Sequence, residues 1–426
     1  MELNQVCYRT LGLDNSASLK TYQSVGGYEV ARKIFTEKTD PAKIIDELKK
    51  SVLRGRGGAG FPTGLKWSFI SRDKPGPKYI LCNSDESEPG TCKDRIILES
   101  NPHQLFEGML IGCYVTGSQV AYNLLRGEFW EPFEACEKAL QEARDAGFIG
   151  KNVFGSGIDI EIHNTRTAGA YICGEETGLM NAIEGRRPLP RFKPPFPANY
   201  GLYGYPSNVN NTESLASVPV ILQKGGEWFA GLGTEKSGGT KIFCVSGHVA
   251  KPGNFEAGLG LPFKDLLDMA GGMRPGSKLK AVIPGGSSMP VVPADMMMGA
   301  TMDFEGVQAV GSMLGSGGII VMDHKTCMVK VLQRLSKFYM HESCGQCTPC
   351  REGTGWLYRL VSAIENGEAT MKDLDRLGKV AKSIEGRTIC AFGEAAAWPV
   401  GGMLKHFYDE FEYHVKHGKC MVDNDD

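Results

Sequence analysis

No stretch of this 426-residue sequence stays apolar over the ~18 residues that a membrane-spanning helix needs. Met1 to Leu11 has no basic segment leading into an apolar core, so no secretory leader is expected. Blocks of one charge sign are missing too: 47 Lys and Arg stand against 49 Asp and Glu, a balance of −2. These absences argue against direct membrane insertion and against a nucleic-acid partner. There is no internal repeat and no low-complexity tract. Thirteen Cys are scattered rather than grouped as in small disulfide-stapled domains, in a chain long enough for about two to four domains. Reduced thiols and a cytoplasmic location are the expectation. What the sequence does hold in excess is glycine: 55 residues in tight groups, suited to a backbone that must come close to a bulky ligand.

The pattern divides the chain into four expected segments. The first, 1–63, contains an amphipathic helix capped by Asp40-Pro41 and a glycine-rich run from Arg54 to Gly64. In 64–238 strands alternate with helices, which predicts a mainly parallel, Rossmann-like α/β sheet. Strands are expected at Tyr79 to Cys82, Gln119 to Leu124, Ile158 to His163 and Ala170 to Cys173, and helices at Pro102 to Val115, Glu131 to Ala146 and Glu175 to Glu184. Asn208 to Thr212 reads as a helix start, after an aperiodic Pro- and aromatic-rich stretch, Arg187 to Pro206, whose length suggests function. The order strand, strand, helix, strand, strand in 239–324 suggests a small α+β domain of β-grasp type. The remainder, 325–426, reads as a four-helix bundle.

Cys344, Cys347 and Cys350 form C-x-x-C-x-x-C at one junction between bundle helices, and Cys390 begins the next junction but one. In an antiparallel bundle both junctions lie at the same end, so four thiolates can enclose one [4Fe–4S] cluster. A structural zinc ion or unligated thiols are the alternatives. The other nine Cys read as small buried apolar side chains.

Gly55-Arg56-Gly57-Gly58-Ala59-Gly60 satisfies G-x-G-x-x-G, but a helix precedes it where the dinucleotide motif needs a strand. Its free N–H groups, with Arg54, Arg56 and Lys66, could still meet a phosphate or a planar ring. A flexible loop is the plainer alternative. Acidic residues follow two expected strand ends, at Asp85, Glu86 and Glu88 and at Glu175 and Glu176. Carboxylates at the ligand-binding edge of a parallel sheet suit ring edges or sugar hydroxyls better than phosphate, although any one of them can be a solvated rim residue.

Five motifs in order then carry a resemblance: RGRGGAGFPTGLKW (Arg54 to Trp67), NSDESEPGTCKDR (Asn83 to Arg95), YICGEETGL (Tyr171 to Leu179), NVNNTESL (Asn208 to Leu215) and ESCGQCTPCREG (Glu342 to Gly353). Together they resemble the NADH-binding flavoprotein subunits of respiratory complex I, called F subunits in bacterial NADH–quinone oxidoreductases. The likeness runs from about Ser51 to about Phe407. Flavin subunits of NAD-linked hydrogenases and formate dehydrogenases share the family.

The resemblance implies FMN, one [4Fe–4S] cluster and NADH as substrate, with hydride passing to the flavin by stacking and no catalytic acid or base. Gly55, Gly57 and Lys66 would line the flavin; Asn83, Asp85, Glu86 and Glu88 would contact its ring and ribityl chain; Tyr171, Gly174 and Glu175 would close the pocket. Asn210, Asn211 and Thr212 match the family's flavin-phosphate site. Phe61, Phe69, Glu88, Glu176, Lys193 and Phe196 match positions that take NADH, with a carboxylate favouring NADH over NADPH. Core packing is the alternative for Phe61 and Phe69. The implied partners are a thioredoxin-like [2Fe–2S] subunit (the E subunit) and a larger iron–sulfur subunit (the G subunit) of the peripheral arm, on the cytoplasmic side of the inner membrane. No thioredoxin-like segment precedes Met1 and no further ferredoxin-type cysteine set follows Asn424, so the free-standing complex I type is expected. A hydrogenase or formate dehydrogenase diaphorase subunit is the rival within the class, and a non-catalytic iron–sulfur scaffold the rival outside it.

Overall fold

The computed structural model describes residues 3–422. Three helices open the chain: α1 (Leu19–Ser24), α2 (Glu29–Thr36) and α3 (Pro41–Lys50). The last begins where the Asp40 side chain accepts from Ala42 N and Pro41 fills the first turn. The glycine loop then leads into α4 (Thr63–Ser68). Next come β1 (Tyr79–Ser84), α5 (Asp94–Ser100), α6 (Pro102–Thr116), β2 (Val120–Leu125), α7 (Trp130–Asp145), β3 (Glu161–Arg166), α8 (Glu176–Ile183), β4 (Ser207–Asn211), α9 (Thr212–Lys224) and α10 (Gly226–Ala230). The four strands are all parallel, in the order β3-β2-β1-β4. A parallel sheet needs cover on both faces. α6, buried along its whole length, supplies much of it, and one core joins the sheet and α6 to Val6, Tyr22, Phe35 and Leu48 of the opening segment.

The second sheet is built from β5 (Thr240–Gly247), β6 (Gly253–Gly258), β8 (Leu279–Ile283), β9 (Val292–Pro293) and β11 (Gly318–Asp323), in the order β6-β5-β11-β8-β9. β7 (Leu261–Pro262) and β10 (Thr301–Met302) form a separate pair, and α11 (Phe263–Met269), α12 (Ala294–Met297) and α13 (Phe304–Ala309) complete the region. β5 and β11 run parallel while the outer pairings are antiparallel. The chain then turns helical as α14 (Met328–Glu342), α15 (Thr348–Glu365), α16 (Met371–Ile384) and α17 (Phe392–His417), which close on an apolar core containing Leu332, Leu357, Leu377 and Val400.

Three local expectations are corrected. Asn208 to Asn211 is strand β4, and the helix starts only at Thr212. Of the Asn run only Asn211 acts as a cap, accepting from Glu213 N; Asn208 donates to Lys66 O, and Asn210 accepts from the Trp67 indole at 3.0 Å. Ala170 to Cys173 is not a strand; Tyr171–Gly174 forms a single 3-10 turn after Gly169, whose φ of 88° breaks extension. The third strand sits three residues later than Ile158, with Glu161 in register with Val120. As an edge strand, exposed at several positions, it offers little alternation to read.

Candidate functional site

β1 lies between β2 on one side and β4 on the other, so the strand order reverses beside it. Open parallel sheets bind ligands past the carboxyl ends of such strands. A cavity of ≈ 840 Å³ opens there, lined by Gly55, Gly57, Lys66, Asn83, Asn210 and Asn211 among others. A second lobe of ≈ 450 Å³ shares Gly57, Asn83 and Asn211 with it and continues past Asp85, Glu86, Glu88, Tyr171, Gly174 and Glu175. Glycine keeps the backbone close at two points of the lining: a Cβ on Gly57 would stand 3.0 Å from Asn211 Cβ, and one on Gly174 would stand 3.3 Å from Asp85 O. The loop cradles a volume that side chains would fill.

Of the loop's three cations only Lys66 faces this space. Arg56 is fully buried and donates to Thr240 O, Gly238 O and Arg54 O. Arg54 donates to Gly60 O and pairs with Glu305 at 2.6 Å over the Phe304 ring. Both therefore hold the loop in shape instead of offering charge to a ligand. Lys66, whose pKa burial pulls down, lies 3.9 Å from Glu176. Lys193 pairs with the same carboxylate at 2.6 Å and with Glu175 at 3.2 Å. Burial lowers the Lys193 pKa, but the two carboxylates outweigh it and raise the value.

The carboxylates do not repel one another freely, because most of their lone pairs are engaged. Glu86 accepts from the N–H groups of Lys93, Asp94 and Arg95 and so caps α5. Glu175 caps α8 through Thr177 N and Gly178 N. Glu88 accepts from Tyr171 Oη at 2.6 Å and from Ser288 N and Oγ at 2.7 and 2.8 Å. Asp85 takes the Ser87 hydroxyl, and its burial raises the pKa to about 6.

Phe61, Phe69 and Phe196 are 44 %, 51 % and 56 % exposed, which rules out core packing. They stand at the mouth of the larger lobe, with the Phe61 and Phe69 rings 5.9 Å apart. Bare rings at a cavity mouth offer faces to a planar ligand. Asn211 keeps its place by capping α9 through Glu213 N and donating to Asp94 at 2.7 Å. Thr212 and Lys193 line neither lobe: the Thr212 hydroxyl, 2.7 Å from Ser84 Oγ, is buried, and Lys193 stands behind Glu175 and Glu176.

The four expected cysteine ligands come together. Cys344 and Cys347 lie in the α14–α15 junction, Cys350 in the first turn of α15 and Cys390 just before α17. All four pack against one small cluster with Ile172, Tyr339 and Phe392. Burial pushes the Cys350 thiol to about 11 and Cys390 to about 12, so a metal must displace protons to bind. Among the described residues, the one set of three or more Cys, His or carboxylate donors all within 4.8 Å of one another lies elsewhere, so no three of these four sulfurs are that close. A zinc ion would hold sulfurs about 3.8 Å apart, so the wider setting of these four suits a bulkier cubane. Tyr171 joins this cluster to the cavity. Its hydroxyl reaches Glu88 while its ring packs edge-on against Phe338 at 5.4 Å and Phe392 at 5.6 Å.

Three family models match stretches of this chain. One described as "Nuo51 FMN-binding domain" matches residues 48–220, an SLBB domain matches 242–292, and an "NADH-ubiquinone oxidoreductase-F iron-sulfur binding region" matches 330–414. The chain is 51% identical over 405 residues to the NADH-quinone oxidoreductase F subunit of Rickettsia bellii, covering 95% of this chain and 97% of that one. It is 55% identical over 375 residues to the F subunit of Rickettsia typhi, covering 88% and 89%.

The chain belongs to the family of NADH-quinone oxidoreductase F subunits.

A solved fold like that of this F-subunit family member occurs in an NAD+-reducing [NiFe]-hydrogenase in its H2-reduced state, with TM-score 0.83 and 35% identity. That match covers 93% of this chain and 66% of the hydrogenase chain, so the likeness spans just under two thirds of the latter. The air-oxidised form gives TM-score 0.80 and 36% identity, over 88% of this chain and 63% of that chain. Some cavity residues had no local signal in the sequence. Ser288, in the lining of the smaller lobe, and buried Ser287 beside it, both from the loop after β8, donate to Glu88 across 200 and 199 residues of chain. Gly286 beside them is the nearest thing to a mark, since a Cβ there would meet Glu88 Cγ at 2.6 Å. Two of the nine other cysteines are also not buried: Cys92 is exposed and Cys420 half-buried.

Proposed function

We propose that this chain oxidises NADH as the electron-input subunit of an NADH–quinone oxidoreductase, with FMN in the two-lobed cavity and one [4Fe–4S] cluster on Cys344, Cys347, Cys350 and Cys390. The observation that carries this is Tyr171, which touches both the cavity wall at Glu88 and the aromatic cluster against which the four cysteines pack. When bound, FMN supplies a hydride acceptor that can release electrons singly, and the cluster supplies a one-electron exit.

The chain's own contribution is position. Gly55 and Gly57 let the backbone approach the flavin, while Lys66, Asn83, Asp85 and Glu86 line it and Gly174 and Glu175 close it. Asn210, Asn211 and Thr212, at the start of α9, are the residues we assign to the flavin phosphate. Phe61 and Phe69 stack the nicotinamide or adenine, with Phe196 beside them. Glu88 and Glu176 take amide or ribose hydroxyls, and Lys193 takes the pyrophosphate. A carboxylate at the ribose repels a 2′-phosphate, which favours NADH over NADPH. No side chain need move a proton, because stacked geometry alone brings the reacting atoms together.

We read the second sheet as a β-grasp fold and the last four helices as a bundle, a reading supported by β5 and β11 running parallel in the middle of the sheet. The partners are inferred to be the thioredoxin-like [2Fe–2S] subunit and the larger iron–sulfur subunit of the peripheral arm. Among the described residues no helix is long and apolar enough to cross a membrane, in keeping with peripheral attachment, which we infer to be on the cytoplasmic side. The hydrogenase likeness, at 35–36% identity, supports the diaphorase reading less than the 51–55% relatives support this one. The test is spectroscopic. Purified protein carrying flavin should lose its visible flavin absorption on addition of NADH, and Cys390→Ala should lose the [4Fe–4S] resonance while keeping flavin. Reconstituted protein that NADH cannot bleach would overturn the reading.

A further inference from the structure

The helical region has two ends, and the four cluster cysteines occupy only one. At the other, α14 starts after Cys327, α15 finishes at Glu365, α17 carries His414 in its last turn and Cys420 follows just beyond. The donor atoms of Cys327, His414 and Cys420 all lie within 4.8 Å of one another. Cys327 Sγ is 3.3 Å from His414 Nε2, and Glu365 Oε2 is 3.8 Å from Cys327 Sγ. His414 is 1 % exposed, yet its Nδ1 has no hydrogen-bond partner and lies 3.8 Å from Glu365 Oε2.

A tetrahedral zinc ion with bonds of about 2.0–2.3 Å keeps its donors about 3.5 Å apart. The Cys327–His414 separation of 3.3 Å is of that size, and the 4.8 Å that bounds all three is too short to admit an iron–sulfur cubane. The orientation of the imidazole also fits: metal-bound histidines turn the second ring nitrogen toward a carboxylate, and Nδ1 faces Glu365. We propose that Cys327, Cys420 and Nε2 of His414 bind a divalent zinc-class ion, with Glu365 positioning His414. Binding displaces the two thiol protons to solvent and changes no oxidation state. The ion clips the segment after α17 onto the start of α14 and the end of α15, opposite the electron-transfer cluster.

Holoprotein with its flavin and cluster would be incubated with zinc, desalted, and assayed for zinc and iron. One zinc per chain is expected beyond the cluster iron, falling at least tenfold in Cys420→Ser with iron unchanged. Cobalt(II) in place of zinc should give thiolate charge-transfer and tetrahedral ligand-field bands, lost in both Cys420→Ser and His414→Gln. Cys420 lies past the last helix, so its variant keeps the test meaningful if His414→Gln fails to fold. Equal zinc in wild type and Cys420→Ser, no zinc retained by wild type with both thiols reduced, or a Cys327–Cys420 disulfide in the purified protein would each overturn the proposal.

Discussion

Cys92 is the one exposed cysteine among the described residues, and its backbone N–H lies 3.3 Å from the Sγ of buried Cys244. The two thiols compete for one proton. Burial holds it on Cys244, and the resulting hydrogen bond pulls the Cys92 pKa below the ordinary thiol range. Thiolate is the nucleophile, so isolated protein treated with iodoacetamide near neutral pH should be alkylated first at Cys92. The rate should reach half its maximum below the free-thiol value of about 8.5, and peptide mass spectrometry across a pH series would show it. A midpoint at or above that value would contradict the assignment. Nothing around Cys92 in the sequence announces this, because its partner is 152 residues away. The C-x-x-C-x-x-C run was legible for the opposite reason: its chemistry is local in sequence.

Glycine inside a helix reads as a defect costing about 1 kcal/mol relative to alanine. Its meaning depends on what the helix touches. A Cβ on Gly108 of α6 would fall 2.1 Å from Leu215 O, whereas one on Gly378 of α16 meets only Leu404 Cδ1, at 3.4 Å. Gly108→Ala should therefore destabilise by about 3 kcal/mol through overpacking of the α6–α9 crossing, while Gly378→Ala should stabilise by about 0.5–1 kcal/mol. Urea midpoints measured under the same conditions separate the two, and shifts of the same sign would refute the argument. Element boundaries followed the same division. α6 and α7 fall within a residue of the expected Pro102 to Val115 and Glu131 to Ala146, and α16 starts at a local capping box of Thr370 and Asp373. β4 was hidden, because what holds Asn208 and Asn210 in the strand includes Lys66 O and the Trp67 indole, more than 140 residues away.

Across the whole molecule a buried charge network ties the first sheet to the second. Lys93 pairs with Asp94 at 2.7 Å and Glu213 at 2.9 Å; Glu213 also meets Lys241 at 3.5 Å and accepts from Ile242 N. Glu256 of β6 reaches back to Cys7 N and Tyr8 N. The helical region closes on an apolar core that it shares with β8 and β11 through Ala281, Ile283 and Met322, and that contains no residue of β1–β4. Removing cluster iron should therefore raise hydrogen exchange in 343–351 and 386–395 and near Tyr171, while β1–β4 keep their protection. Exchange mass spectrometry checks this, and a comparable rise throughout the sheet would show that the cluster supports the entire fold.

The chemistry is legible in the chain before it folds: a cysteine set with cluster spacing, glycine loops that admit a ligand, and motifs long enough to identify the family. Those signals are short-range, since ligand spacing and backbone permissiveness are written within a few residues. Which cations remain free was settled only by packing. Folding spent Arg54 and Arg56 on the loop's own shape, left Lys66 in the cavity, and set Tyr171 between that cavity and the cysteines. It also brought Cys327, His414 and Cys420 to one point. Such assignments depend on which buried groups find partners, and partners distant in sequence are chosen only when the chain packs.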